Sequence, residues 1–387
     1  MNKPQSPPRT LSDFLAYKAI SMRVPLSGTF ELSPVCNFAC RMCYVRKTQA
    51  EVDASPRRPM TLDDWLSLAE QARAAGTLYL LLTGGEPLLW PQFFTLYDTL
   101  IDMGFLISIN TNGSLIDETA AARFLAKPPQ KINITLYGAN DATYRRLCGA
   151  DGVFSRVDRA IRMLTEAGIR VKINCSLTPE NASDLDFIVE YAKARGAQLS
   201  VAAYMFPPIR RDPTMTGQNE RFTPEESAHY TARFWEKNHG RDAYLKHMQA
   251  IRDGYAEPRG LDESCIDPVD GKIHCRAGKA SYWITWDGYM TPCGMMPEPK
   301  VDLRKLSFAD GWHALTETAA KLTLSGVCDS CPNLNVCHPC AAIAYAETGS
   351  CAGIPTYMCR MTQALHRIAC TLPPPENRTP SPHGEEI

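Results

Sequence analysis

The sequence predicts an α/β protein, a partial (β/α)6 barrel followed by a C-terminal cysteine-rich α+β domain. Three observations lead there. Six short apolar runs alternate with helix-like stretches between residues 29 and 204, and such alternation builds a parallel sheet with crossover helices. Six units are too few for the eight-fold closed barrel, so the sheet is open or partial. Ten of the fifteen cysteines lie between Cys265 and Cys370, beyond the point where the alternation stops.

Residues 1–28 read as an N-terminal extension with little pattern, and the barrel is expected over 29–206. Thr29 to Ser33 predicts a strand leading into Cys36. Thr61 caps an amphipathic helix that ends near Gly76, with Leu62, Trp65, Leu66, Leu68 and Ala69 on or beside one stripe. Leu78 to Thr83 is an apolar strand closed by Gly84-Gly85, and Pro91 to Met103 is helical. The pattern repeats with a strand at Phe105 to Asn110, a helix at Asp117 to Leu125 and a strand at Lys131 to Leu136. A helix at Val153 to Ala167 and a strand at Arg170 to Ser176 follow, then a helix at Ser183 to Arg195 and a strand at Gln198 to Tyr204. Residues 207–262 read as a helical insertion. Pro207 to Asp212 marks a loop, Thr223-Pro224 starts a helix to about Asn238, and a second helix covers Ala243 to Tyr255. The cysteine-rich domain spans 263–370, with a tight hairpin at Tyr282 to Trp286, Asp287-Gly288 and Tyr289 to Thr291. Residues 371–387, with five prolines and few apolar groups, read as a disordered tail.

The composition narrows the function. Lys plus Arg is 41 and Asp plus Glu is 42 in 387 residues, which gives no electrostatic support for nucleic-acid binding. The longest aliphatic or aromatic run, Leu78 to Leu82, is far short of the ~20 residues of a membrane span, and Met1 to Thr10 lacks a signal peptide's apolar centre. The expected location is the cytoplasm. There, clustered cysteines bind metal more often than they form disulfides.

Cys36, Cys40 and Cys43 follow the first strand in the spacing Cys-x3-Cys-x2-Cys. Three thiolates on one loop can converge on one metal centre. Three ligands leave a coordination position open, as a reactive site needs and a closed structural zinc site does not. Cys36-Asn-Phe-Ala-Cys40-Arg-Met-Cys43-Tyr44 resembles the signature of radical S-adenosylmethionine (radical SAM) enzymes. The resemblance implies that the three thiolates hold three irons of a [4Fe–4S] cluster. It also implies that the fourth iron chelates S-adenosylmethionine, whose one-electron cleavage gives a 5′-deoxyadenosyl radical. Thr83-Gly84-Gly85-Glu86-Pro87 looks like the family motif that receives the methionine amino group, with Glu86 placed to balance an ammonium. By the same resemblance Tyr44, Asn110, Asn112, Thr135 and Arg156 join the cofactor-binding set; relatives place Ser or Thr at position 135 against the ribose. Many relatives have an acidic residue where Tyr137 stands.

Downstream, Cys275-x12-Gly288-x4-Cys293 is followed by Cys328-x2-Cys331-x5-Cys337-x2-Cys340 and then Cys359. Taken alone, the four central cysteines also fit one zinc site. The whole pattern resembles the SPASM extension of radical SAM enzymes, which carries two auxiliary [4Fe–4S] clusters; it has two residues, where the extension's motif has three, between Cys337 and Cys340. The resemblance implies one cluster on Cys275, Cys293 and Cys340, with either Cys265 or an open, substrate-binding position as its fourth site, and another on Cys328, Cys331, Cys337 and Cys359. Cys351 competes with Cys359 for the last place. Cys148, Cys175 and Cys370 read as ordinary cysteines.

The expected activity is hydrogen abstraction from a peptide or protein substrate during its maturation, fed by an external one-electron donor of flavodoxin or ferredoxin type. The alternatives are a radical enzyme acting on a small metabolite or tetrapyrrole, and a non-catalytic iron–sulfur protein. Sulfatase-maturing relatives carry an aspartate directly after the cysteine equivalent to Cys293, where this chain has Gly294. The 35 residues before Cys36 are too few for the leader-binding domain of many peptide maturases. Arg210 and Arg211 stand where they could grip a substrate carboxylate, or could be a solvated loop. Tyr204, Met205 and Phe206 read either as pocket walls or as core, and His313 and His338 offer proton-transfer groups that the reading does not favour.

Overall fold

The computed structural model describes residues 11–254, 275–337 and 339–373. Nine strands form one sheet in the order β6-β5-β4-β3-β2-β1-β7-β8-β9. The first six, β1 (Ser27–Glu31), β2 (Tyr79–Thr83), β3 (Leu106–Thr111), β4 (Lys131–Thr135), β5 (Val171–Ser176) and β6 (Gln198–Ala202), are all parallel. Their C-terminal ends share one edge of the sheet, which is where such folds place their sites.

The crossover helices supply the cover. Between α1 (Leu11–Met22) and β6 the chain forms α2 (Gln49–Asp53), α3 (Leu62–Ala74), α4 (Phe93–Asp102), α5 (Glu118–Ala126), α6 (Asp141–Cys148), α7 (Phe154–Glu166) and α8 (Leu185–Ala194). Thr61 caps α3 with a reciprocal capping box to Asp64, which fixes where that helix starts. Trp65 of α3 is fully buried and stacks on Phe30 of β1 at 4.8 Å between ring centroids. Phe93, Phe94 and Tyr97 of α4 meet Phe124 of α5 in a second aromatic group.

Two features differ from the sequence expectation. Residues 11–22 are a helix, whose Ala16 and Ala19 are buried, Ala19 packing with Leu26 and Ala280. The boundary expected at 28/29 falls inside β1. The hairpin expected at 282–291 does form, as β7 (Ser281–Ile284) and β8 (Tyr289–Thr291), but it extends the barrel sheet. β7 runs parallel to β1 in the register Ser27↔Ser281. β9 (Val301–Asp302) completes the edge.

After β6 come α9 (Pro224–His239) and α10 (Arg241–Arg252), and after β9 come α11 (Phe308–Ala319), α12 (Gly326–Asp329), α13 (Leu334–Cys337), α14 (Ala341–Thr348) and α15 (Thr356–Thr371). The expected insertion is joined to the C-terminus. Ala232 of α9 and Met248 of α10 share a core with Ala369 of α15. The tail expected at 371–387 lies outside the described residues from 374 onward. No described helix is long and apolar enough to cross a membrane.

Candidate functional site

The loop after β1 is held on both sides by backbone bonds. On one side Ala39 N–H donates to the Cys148 carbonyl (2.7 Å) and Arg41 N–H to that of Leu147 (3.1 Å), so the C-terminus of α6 braces Cys40. On the other, Gly85 N–H donates to Ser33 O (2.7 Å) and Glu86 N–H to Val35 O (2.9 Å). This contact is what the two glycines permit. A Cβ on Gly84 would lie 2.2 Å from Ser33 O, and one on Gly85 2.4 Å from Val35 O. The Gly-Gly turn is therefore pressed against the cysteine loop.

Within that loop the sulfurs are met by backbone donors. Phe38 N–H points to Cys36 Sγ (3.3 Å) and Arg46 N–H to Cys43 Sγ (3.4 Å). Asn112 Nδ2 donates to Asn37 Oδ1 (2.8 Å) and lies 3.8 Å from Cys36 Sγ. Burial pushes the Cys36 thiol up to about 12 and raises Cys43 as well. Cys40 is held below its ordinary value, first by the neighbouring Cys148 thiol. Cys148, read from sequence as an ordinary cysteine, is thus a direct neighbour of Cys40.

Glu86 follows the Gly-Gly turn. Its carboxylate is fully buried and accepts from Asn112 N–H (2.7 Å), Thr111 Oγ1–H (2.8 Å) and Leu88 N–H (3.1 Å). It ties the end of β3 to the Gly-Gly turn. Burial raises it to about 7. Thr83 is buried, and its carbonyl accepts from Leu32 N–H (2.9 Å). Asn110 accepts from Asn133 Nδ2 (2.7 Å). Thr135, half-buried, ends β4 beside Asn174. Arg156 is exposed on the first turn of α7. Where relatives carry an acidic residue, Tyr137 gives its carbonyl to Asn181 Nδ2 (2.8 Å). A cavity of about 320 Å³ opens beside Met42, between Leu147 and Thr178, rimmed by Arg41 and Glu220.

The later cysteines fall into two groups. Burial first, then the charges of Cys293 and Cys275, push Cys340 up to about 12, so these three thiols are neighbours. Met295 N–H points to Cys293 Sγ (3.5 Å). Cys337 is pushed up to about 11 by burial and also feels Cys359, Cys328 and Cys331. Cys351 packs in the small core shared by Cys275, Cys293 and Cys340, away from that quartet. Cys265 and His338 lie outside the described residues. The described cysteines are free thiols. Among the described residues no three His, Cys, Asp or Glu side chains close on a point suited to a single ion.

Three further candidates are placed as follows. Arg210 is not free for substrate: it forms a two-pronged pair with Glu31 of β1, at 2.9 Å on each arm. Tyr204 does not line a pocket; its hydroxyl donates to Glu347 (2.6 Å) and its ring packs against Tyr357. His313 is exposed beside Glu317. Glu31 was missed, although a lone carboxylate in the apolar run Phe30 to Leu32 was the available signal.

An open parallel sheet thus carries a three-thiol loop beyond the C-terminal end of its first strand. Residues 30–192 match the family described as the Radical SAM superfamily. Residues 30–192 thus carry a radical SAM domain, and the family of that domain holds a [4Fe–4S] cluster and S-adenosylmethionine. It is 26% identical over 337 residues to an AdoMet-dependent heme synthase of Methanosarcina barkeri, covering 83% of this chain and 92% of that one. The structure of anSMEcpe with bound AdoMet superposes with a TM-score of 0.66 at 17% identity, over 90% of this chain and 97% of that one. Streptococcus suis SuiB bound to its precursor peptide SuiA gives 0.64 at 18% identity, over 92% and 82%.

Proposed function

We propose that this enzyme removes a hydrogen atom from a peptide or protein substrate as part of its maturation. In this reading Cys36, Cys40 and Cys43 hold the cluster that binds S-adenosylmethionine. Cys275, Cys293 and Cys340 hold one auxiliary cluster, and Cys328, Cys331, Cys337 and Cys359 another. The observation that carries it is the arrangement of free thiols in three separate groups, the first beside the Gly84-Gly85 turn. When bound, the first cluster supplies the electron that cleaves S-adenosylmethionine to the 5′-deoxyadenosyl radical.

The chain's own residues do the positioning. The N–H groups of Phe38 and Arg46 hold the Cys36 and Cys43 sulfurs as acceptors. Asn112, fixed by Glu86, orients the Cys36 side of the loop. Gly84 and Gly85 keep the loop seated. Arg211 lies close enough to Cys43 to act on its charge, so it is placed to meet a substrate carboxylate.

A peptide substrate is supported by the like fold of SuiB, which binds one. The relatives named AdoMet-dependent heme synthase favour a second reading, a carboxylate-bearing tetrapyrrole. The test is anaerobic reconstitution with iron and sulfide, then dithionite and S-adenosylmethionine. Three clusters predict ~12 irons per chain and 5′-deoxyadenosine formation. A Cys36, Cys40, Cys43 triple-Ala variant should keep ~8 irons and form no 5′-deoxyadenosine. Cleavage absent from fully loaded enzyme overturns the reading. Stimulation by tetrapyrroles and by no peptide in a panel moves the substrate to the second class.

A further inference from the structure

The most deeply buried ion pair beside the cysteine groups is Arg210–Glu31. Glu31 ends β1 and is 0% exposed, and the Arg210 side chain is 12% exposed. The guanidinium spends both arms on the carboxylate, and Nη1 also donates to the Gly294 carbonyl at 2.8 Å. The carboxylate takes a third donor, Trp283 Nε1 of β7, at 2.8 Å. Gly294 directly follows Cys293, and a Cβ there would fall 2.7 Å from the Trp283 ring. Tyr44 directly follows Cys43, and its ring lies 5.9 Å from the guanidinium. The pair therefore stands between the first cysteine loop and the Cys293 loop.

The arrangement is polar in direction. The guanidinium faces the Cys293 loop, and Cys293 feels the Arg210 charge. The carboxylate lies behind it, against Trp283. Taking two charges out of water costs several kcal/mol per ion before their attraction offsets it, and an apolar pair of like volume would pack the same space. A cation held in low dielectric beside an iron–sulfur cluster favours the cluster's more negative, reduced state.

We propose that Arg210 is a positioning residue that seats the Cys293 loop through the Gly294 carbonyl and raises the reduction potential of the cluster on Cys275, Cys293 and Cys340, with Glu31 setting how much of its charge that cluster feels. This rests on the reading of those three cysteines as ligands. That reading is tested separately: a Cys275, Cys293, Cys340 triple-Ala variant should lose about four irons, and full retention of iron would remove the ligand assignment itself.

The experiment on Arg210 is an EPR-monitored redox titration of the full chain carrying Cys36, Cys40 and Cys43 as Ala, so that the auxiliary clusters alone report. Arg210→Met should lower the potential of one cluster by at least a tenfold change in its reduction equilibrium, ~59 mV for one electron, and leave the other unmoved. Glu31→Gln should shift the same cluster upward, and Arg210→Lys should fall between parent and Met. A merely structural pair would not move one cluster in opposite directions. If Arg210→Met loses iron, Glu31→Gln decides: an upward shift supports the proposal and an unchanged potential overturns it. Unchanged potentials in fully loaded Arg210→Met overturn it directly.

Discussion

Glu86 lies just after the Gly84-Gly85 turn, and its buried carboxylate ties that turn to the end of β3. Its position after Gly84-Gly85 was readable; the destination of its carboxylate was not, because the donors come from Thr111 and Asn112 on another strand. Burial holds it near 7 against an ordinary 4.5. A carboxyl raised in the folded state contributes fully below its unfolded value, and that contribution is lost as pH rises through its folded value. The cofactor-free chain should lose up to ~3 kcal/mol of stability through this residue between about pH 5 and about pH 8. Glu86→Gln should flatten that slope in urea unfolding, and an unchanged slope would assign the dependence elsewhere. Gly85→Ala tests the seating of the loop. Its methyl group would press on Val35 O and Pro34 O, so the variant should lose about four irons while its circular dichroism stays native. Retained iron would show that the loop yields without consequence.

At the scale of elements, the strands were legible because each is a short apolar run closed by Gly, Asn or Pro. The helices α3, α4, α7 and α9 were legible through caps and stripes. α1 was not, since its apolar residues surround the axis: Ala16 and Ala19 are buried while Leu11, Phe14, Tyr17 and Met22 are exposed. The place of β7 was not legible either. A parallel pair formed by residues 27–30 and 281–284 leaves no local trace in sequence. The cysteine groups were legible through resemblance, whereas the Arg210–Glu31 layer that links them needed three dimensions. Trp65 couples α3 to β1, and Trp65→Ala should cost ~3–5 kcal/mol, read as a lower urea midpoint with an unchanged slope. A cost under about 1 kcal/mol would mean that the site collapses to fill the space.

For the whole molecule, the cysteine-rich C-terminal part is a structural partner of the barrel as well as an appendix to it. Tyr282 of β7 hydrogen-bonds with Thr77 (3.2 Å), and Trp312 Nε1 donates to Arg23 O (2.7 Å). A chain ending at Gly254 should therefore lack a cooperative unfolding transition and aggregate, as judged by light scattering beside the full chain. A monodisperse, cooperatively folding 1–254 fragment would show that the barrel is autonomous.

The position of β1 between β2 and β7 also orders events in time. During synthesis the N-terminal strand leaves the ribosome first, yet one of its two edges has no partner until residues 281–284 emerge. Synthesis proceeds at ~5–20 residues per second, so that edge stays open for ten seconds or more. The cysteine loop at the end of β1 is held meanwhile by β2, α6 and the turn after β3. Metal loading of this loop is thus expected only after residues 281–284 have paired with β1, on a finished edge and not a nascent one.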